Sequence, residues 1–302
     1  MPRLTIFALF WCNISPNALI RCIVRRRTST LIQNSKRLFD KRHAFHFFDR
    51  ERRPPPNNPA IDGVATAKRN LVRLLGRWLA RAALLLLGVF VAYQGSIALR
   101  LWWWIDHTPT STAFMDARLA LKRETDPTAT IRQQWQSYDK ISTHLKRAIL
   151  VAEDDRFVDH EGFDWDGIQK ALEKNQREHK VVAGGSTISQ QLAKNLFLSE
   201  SRSLWRKGEE ALITVMMERI LDKERILEIY LNVIEWGDGV FGAEAAARHY
   251  YGISAERLSR EQAAKLAAMV PRPRFYDKNR NTPWLLKKTQ IILSRMPSAQ
   301  LP

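Results

Sequence analysis

The chain has 302 residues, 45% of them hydrophobic, and a formal charge of +17. That much apolar material over that length can bury a core, which excludes wholesale disorder and points to one domain or two small ones. The charge is not spread evenly, because residues 1–81 hold 17 Lys or Arg against 4 Asp or Glu whereas 82–302 hold 31 against 27.

Residues 1–81 read as a basic, disordered tail. Arg25, Arg26 and Arg27 form one run and Pro54, Pro55 and Pro56 another, and no helical or strand period is sustained over 1–67. The apolar start at 4–14 resembles a signal-peptide core but lacks a small-residue cleavage site after it. Both cysteines, Cys12 and Cys22, fall in this tail, so the rest of the chain has neither a disulfide nor a cysteine nucleophile.

Residues 82–105 carry Arg100 as their only charge and are long enough, as a helix, to cross a bilayer core of about 30 Å. The stretch is predicted to be a single transmembrane helix. Lys68, Arg69, Arg73, Arg77 and Arg81 precede it, while Asp106 follows and Trp102, Trp103 and Trp104 stand at the far end like an interfacial belt. That bias predicts a cytoplasmic N-terminus and the rest of the chain on the outer side. The juxtamembrane cations are read as setting topology or touching anionic membrane lipid, and no nucleic-acid partner is expected.

A connector is predicted over 106–140, loop-like near 126–130, followed by a helical domain over 141–302 with no competing strand alternation. Ile141, Leu145, Ala148, Ile149 and Ala152 follow spacings of three and four, so an amphipathic helix delivers Glu153 at its end. Glu153 opens a dense acidic stretch within "VAEDDRFVDHEGFDW" (151–165). A calcium loop fails on spacing, since placing Gly162 sixth puts Phe157 first and Ile168 twelfth. A zinc site fails as well, because His160 and His179 are isolated and His43 and His46 lie in the tail. By itself such a run is a solvated acidic face.

The next elements raise Glu153 above that reading. Gly184, Gly185, Ser186 and Thr187 form a polar turn, and Thr187 with Gln190 has capping-box spacing for a helix running through Leu198. Gln191, Lys194 and Asn195 share one face of that helix, and Arg202 lies just beyond it. A second helix from about Leu204 places Arg206, Lys207 and Glu210 on one side and an apolar stripe of Leu212, Val215, Met216 and Ile220 on another. Four cations and two glutamates are thereby expected to converge. The grouping suits transfer from a diphosphate, in which cations stabilise the leaving group and a carboxylate accepts the proton of the attacking hydroxyl. Spacing alone equally allows a helix surface laced with ion pairs.

Five ordered motifs carry a resemblance. "EDDRFVDHEGFD" (153–164), "GGSTISQQLAKNLFLS" (184–199), "RKGEEA" (206–211), "RILEIYLN" (225–232) and "GVFGAEAAARHYYG" (239–252) resemble those of peptidoglycan glycosyltransferases, which occur in class A penicillin-binding proteins and in monofunctional biosynthetic transglycosylases. "WGDGVFGAEAAA" after "YLN" is similar to the monofunctional branch. The resemblance implies a mainly α, lysozyme-like domain on the transmembrane helix, polymerising lipid II into β-1,4-linked glycan at the outer face of the bacterial cytoplasmic membrane with release of undecaprenyl diphosphate.

It further implies that Glu153 is the general base for the acceptor 4-hydroxyl and Glu210 the second essential acid, near the donor diphosphate. Lys194, Arg202, Arg206 and Lys207 would bind the donor's phosphates and sugars, with Ser186, Thr187, Gln191 and Asn195 as polar contacts. Asp154 and His160 would shape the cleft, Phe157 and Phe163 would pack, and Glu209 takes no role. The acidic neighbours of Glu153 are expected to raise its pKa. No cofactor is required by the motifs; the resemblance leaves a divalent cation such as Mg2+ open, with its ligands unknown. Expected partners are lipid II, the growing glycan chain and other cell-wall synthesis proteins.

A transpeptidase is not expected, since the Ser137-x-x-Lys140 occurrence precedes the motifs and no KTG follows. A lytic hydrolase on a similar fold would use two carboxylates but has little need for the cations. A membrane-anchored scaffold would need neither glutamate.

Overall fold

The computed structural model describes residues 59–178, 184–199 and 203–302. The chain divides into two units, 1–71 and 72–302. The expected disordered tail lies outside the described residues as far as position 58, but the helix α1 (Pro59–Trp103) then runs unbroken through the 81/82 boundary drawn from the sequence. Its first turns lack apolar periodicity, yet Ala, Leu, Lys and Arg dominate them, and these residues favour helix without any apolar face.

From Asn70 to Trp103 this helix is long and apolar enough to cross a membrane. Leu84, Leu85, Leu86 and Leu87 are each more than half exposed, which is unfavourable in water and expected in lipid. Its last turns do find protein. Gln94, Ile97 and Leu101, spaced three and four apart, are buried.

The segment 106–140 carries α2 (Ala113–Thr125), whose N-cap Thr112 accepts the Met115 N–H, and β1 (Arg132–Gln133). Around 126–130 the chain turns, with Asp126 Oδ1 accepting the Thr128 N–H at 2.9 Å. The helices α3 (Thr143–Glu153), α4 (Trp165–Arg177), α5 (Ile188–Phe197), α6 (Leu204–Ile220) and α7 (Lys223–Val233) come next. After β2 (Glu235–Gly237) and β3 (Val240–Phe241) follow α8 (Ala243–Tyr251), α9 (Arg260–Met269), α10 (Pro273–Lys278) and α11 (Pro283–Arg295).

The domain is mainly helical, as expected, but the expectation of no strands is corrected. β3 pairs in parallel with β1, Arg132 opposite Val240, and antiparallel with β2, giving the order β1-β3-β2. Strands of two or three residues, with β2 and β3 buried throughout, have no room to display alternation. At the exit from β3, Gly242 has φ +82°, and a Cβ there would sit 2.8 Å from the Asn232 carbonyl. Only glycine fits.

Two packing facts place the site. Helix α9 lies against both α3 and α11, and its buried Ala263, Ala264, Ala267 and Ala268 allow close approach. Helix α5 packs against α2, α6 and α7. The end of α3 thus meets the start of α5, with α7 and α11 alongside.

The apolar stripe expected on α6 is also corrected. Its buried face is Glu210, Ile213, Thr214 and Met217, whereas Leu212 and Val215 are exposed and Met216 and Ile220 only half-buried. Hydropathy placed the face one residue away because it cannot foresee two polar side chains turned inward; Thr214 achieves this by donating its hydroxyl to the Glu210 carbonyl at 2.7 Å.

Candidate active site

Glu153 is the last residue of α3, which starts at the N-cap Ser142 and buries Leu145, Ala148, Ile149 and Leu150. The helix ends because Asp154 leaves helical geometry and turns its carboxylate to the start of α5. There Asp154 Oδ2 accepts the Ile188 N–H at 2.9 Å, at a helix N-terminus where an anion is favoured. Gly162 N–H donates to His160 Nδ1, so the imidazole proton lies on Nε2 and is donated to Asp154 Oδ1 at 3.0 Å. Thr187 closes the same seam by donating its hydroxyl to the Gly162 carbonyl at 2.7 Å while capping α5 in a complete capping box with Gln190. Asp154 is thus fixed between His160 and the start of α5, and it borders the cleft described below. The Thr187 hydroxyl is already engaged by protein on both its donor and acceptor sides.

The Glu153 carboxylate is held from two sides. Gln191 Nε2 donates to Oε2 at 3.1 Å, and Gln191 is itself oriented by the Tyr230 hydroxyl, which donates to its Oε1 at 2.9 Å. Lys288 Nζ, from α11, stands 3.9 Å from Oε1, beyond hydrogen-bond range, and Oε1 is buried with no hydrogen-bond partner. Burial is the main reason that the Glu153 pKa is raised; Lys288 and then Gln191 oppose the rise, and Asp154 adds the least. The expected direction is right but its expected cause, the acidic neighbours, is secondary. Most of those acids are paired elsewhere: Asp155 with Arg295, Asp164 with Arg156 and the Gly167 N–H, and Asp154 as above.

A cleft opens beside this carboxylate, lined by residues 151–155, Asp164, Gly167, 184–187 and Arg295. Gly185 lies so near α4 that a Cβ would approach the Ile168 Cα to 3.0 Å. Ser186 and Thr187 border the cleft and Gln191 reaches it through Glu153. Phe157 is buried, and Phe163 stacks on the exposed Trp165 at 5.5 Å.

Glu210 sits in a separate group on α6. It is buried, with Arg206 Nη1 2.8 Å from Oε2 and Lys207 Nζ paired to Oε1. Arg206 keeps a buried Nε that has no partner. The adjacent Glu209 is half-buried. Lys194 and Asn195 are half-buried one turn beyond Gln191 on α5, the helix that packs on α6. Arg202 lies outside the described residues.

The expected convergence is therefore only partly present. No ion pair or hydrogen bond among the described residues joins the Glu210 group to Glu153. The cations beside Glu153 are Lys288 and Arg295, which the sequence reading missed; more than 130 residues away in the chain, they lie outside every motif and show no distinguishing local signal. Tyr230, within "RILEIYLN", orients Gln191, a task its motif position does not suggest. Among the described residues no set of three His, Cys, Asp or Glu side chains gathers as a metal site.

Comparison with known proteins agrees with this geometry. Residues 121–297 match the family model described as Transglycosylase. The chain is 60% identical over 226 residues to a biosynthetic peptidoglycan transglycosylase of Nitrosospira multiformis, covering 75% of this chain and 98% of that protein. It is 59% identical over 233 residues to one of Dechloromonas aromatica (76% and 100%), and 60% over 222 residues to one of Methylobacillus flagellatus (74% and 97%). The motifs, the helical domain and these matches extend over the same part of the chain, which belongs to the transglycosylase family.

Proposed function

We propose that this peptidoglycan glycosyltransferase polymerises lipid II with Glu153 as general base. The observation that carries the proposal is the buried Glu153 Oε1, which accepts no hydrogen bond, with Lys288 Nζ 3.9 Å away, although the other oxygen is held by Gln191. A carboxylate oriented on one oxygen and open on the other can accept a proton there. The acceptor's 4-hydroxyl attacks the donor's anomeric carbon, a new C–O bond forms, the bond from that carbon to the diphosphate oxygen breaks, and the hydroxyl proton passes to Glu153. Burial makes Glu153 a stronger base than an exposed carboxylate, and Lys288 opposes that rise.

Charge builds on the departing diphosphate, and Arg206 and Lys207 are offered for it, with Lys194 on α5 and Arg202 expected beside them. Arg206 and Lys207 are balanced by Glu210 here, so the glutamate holds them in place until phosphate oxygens take over part of their coordination. In this reading the Lys and Arg bias before the span puts the N-terminus in the cytoplasm and the catalytic domain outside. The test is to incubate the purified full-length chain with labelled lipid II and to follow undecaprenyl diphosphate and glycan. Release of both in step is expected. Cleavage of finished glycan without turnover of lipid II would overturn the proposal in favour of a hydrolase.

A further inference from the structure

Where α1 ends, its carbonyls need donor partners, and one side chain from far along the sequence supplies them. Trp104 N–H still bonds the Arg100 carbonyl at 3.0 Å, Ile105 N–H the Trp102 carbonyl at 3.2 Å, and His107 N–H the Trp103 carbonyl at 3.2 Å. Arg225 meets the next two. Its Nε donates to the Trp104 carbonyl at 2.8 Å and its Nη2 to the His107 carbonyl at 2.7 Å. The third arm, Nη1, lies 2.9 Å from Glu228 Oε2, and Glu228 Oε1 accepts the Trp135 indole N–H at 3.2 Å. The guanidinium also stands 5.5 Å from the Trp135 ring centroid. Arg225 and Glu228 side chains are only 15% and 13% exposed, so the contacts are largely shielded from water. A cation at a helix C-terminus is favoured by the helix dipole as well.

Helix α7, which carries Arg225, holds the catalytic base too. The Asp222 side chain fixes its start by accepting the Arg225 N–H at 2.7 Å, Tyr230 orients Gln191 on Glu153, and Asn232 grips the backbone of Gln136 through both its amide atoms, each at 2.8 Å. One helix of 11 residues thus links the exit of the apolar helix to the carboxylate in the cleft. Helices of this length are stiff, so the distance between the two is set.

We propose that Arg225 is a positioning residue that locks the exit of α1 to α7 and so fixes the height and tilt of the Glu153 cleft above the bilayer. It rests on the glycosyltransferase function proposed above and on α1 crossing the membrane. The chemistry explains why such a lock matters. A lipid diphosphate presents its reacting carbon at a fixed short distance from the lipid surface, and misplacement by about 1 Å already costs a reacting pair dearly. A loosely tethered domain would meet the same substrate less often in a productive pose, whereas a substrate that is free to diffuse would not register the difference.

That contrast gives the experiment. Arg225→Gln and Arg225→Lys are made in the full-length chain, with Glu228→Gln as a milder change that weakens the guanidinium's third contact. Each is assayed on lipid II embedded in vesicles and on a short-chain lipid II analogue dispersed in detergent, with a thermal melt of each variant. The expected result on vesicles is a KM at least tenfold higher for both Arg225 variants and a smaller rise for Glu228→Gln, with kcat within about threefold of wild type; on the dispersed analogue all should match wild type. Wild-type kinetics on vesicles would overturn the proposal, and so would an equal loss on both substrates, which would show a general defect in folding or chemistry. If the unmodified chain turns over neither substrate, it is the proposed glycosyltransferase function that fails.

Discussion

Glu153 concentrates a conflict between stability and chemistry. A carboxylate whose folded pKa is raised above the ordinary value of 4.5 favours the protonated native state, so its contribution to stability is present below that ordinary value and is lost as pH rises through the raised one. Above that ordinary value the buried group therefore costs stability that an amide would not. Glu153→Gln should raise the melting temperature at pH 7, and the gain should vanish near pH 4, while polymerisation falls by about 10² to 10⁴-fold. A variant keeping more than a tenth of the activity would remove Glu153 as base. Lys288 offers a second test at the same carboxylate. It holds the Glu153 pKa down, so Lys288→Met should let that pKa climb further and shift the acid limb of the kcat/KM profile to higher pH. If the limb stays where it is in wild type, Lys288 does not set the ionisation of the base.

Helices α5 and α6 show why some of the site was legible in sequence and some was not. The start of α5 was readable because a capping box is a local device: Thr187 and Gln190 are three residues apart and need no knowledge of the rest of the fold. The end of α3 was readable for a like reason, since periodic burial delivers Glu153 wherever the helix packs. The inward face of α6 was not, because Glu210 and Thr214 are buried through pairings that hydropathy does not encode. Nor were Lys288, Tyr230 and Arg295, which reach the site only through packing between distant helices. Helix α6 carries its own prediction. If Arg206 and Lys207 face a diphosphate, each contact is charge-assisted in a partly shielded place and is worth more than a surface ion pair, which gives up to about 1 kcal/mol. Arg206→Ala should slow polymerisation at least tenfold, about 1.4 kcal/mol of barrier, and Lys207→Ala should behave alike. Lys278→Ala, on the exposed end of α10, should change little. Wild-type rates for both α6 variants would leave a helix of surface ion pairs.

For the molecule as a whole, charge and geometry bear on the same question of sidedness. Lys68, Arg69, Arg73, Arg77 and Arg81 stand before the most apolar part of α1, while beyond it come Trp102, Trp103 and Trp104, an aromatic cluster suited to a membrane surface, and then Asp106. The catalytic unit is joined to that second end by a side chain as well as by the chain itself, since Arg225 holds the Trp104 and His107 carbonyls. Translocating the end of α1 therefore commits the whole domain to the far side. The lipid II polymerisation proposed above fits the same side. A reporter fused after Pro302 that is active only outside the cytoplasm should be active, and a reporter that matures only in the cytoplasm should be silent in the same position. Replacing Lys68, Arg69, Arg73, Arg77 and Arg81 by Gln should weaken that preference and yield a mixed population, since the cations carry the orientation signal. Activity of the cytoplasmic reporter on the unmodified chain would place the cleft opposite its substrate and overturn the sidedness read from these charges.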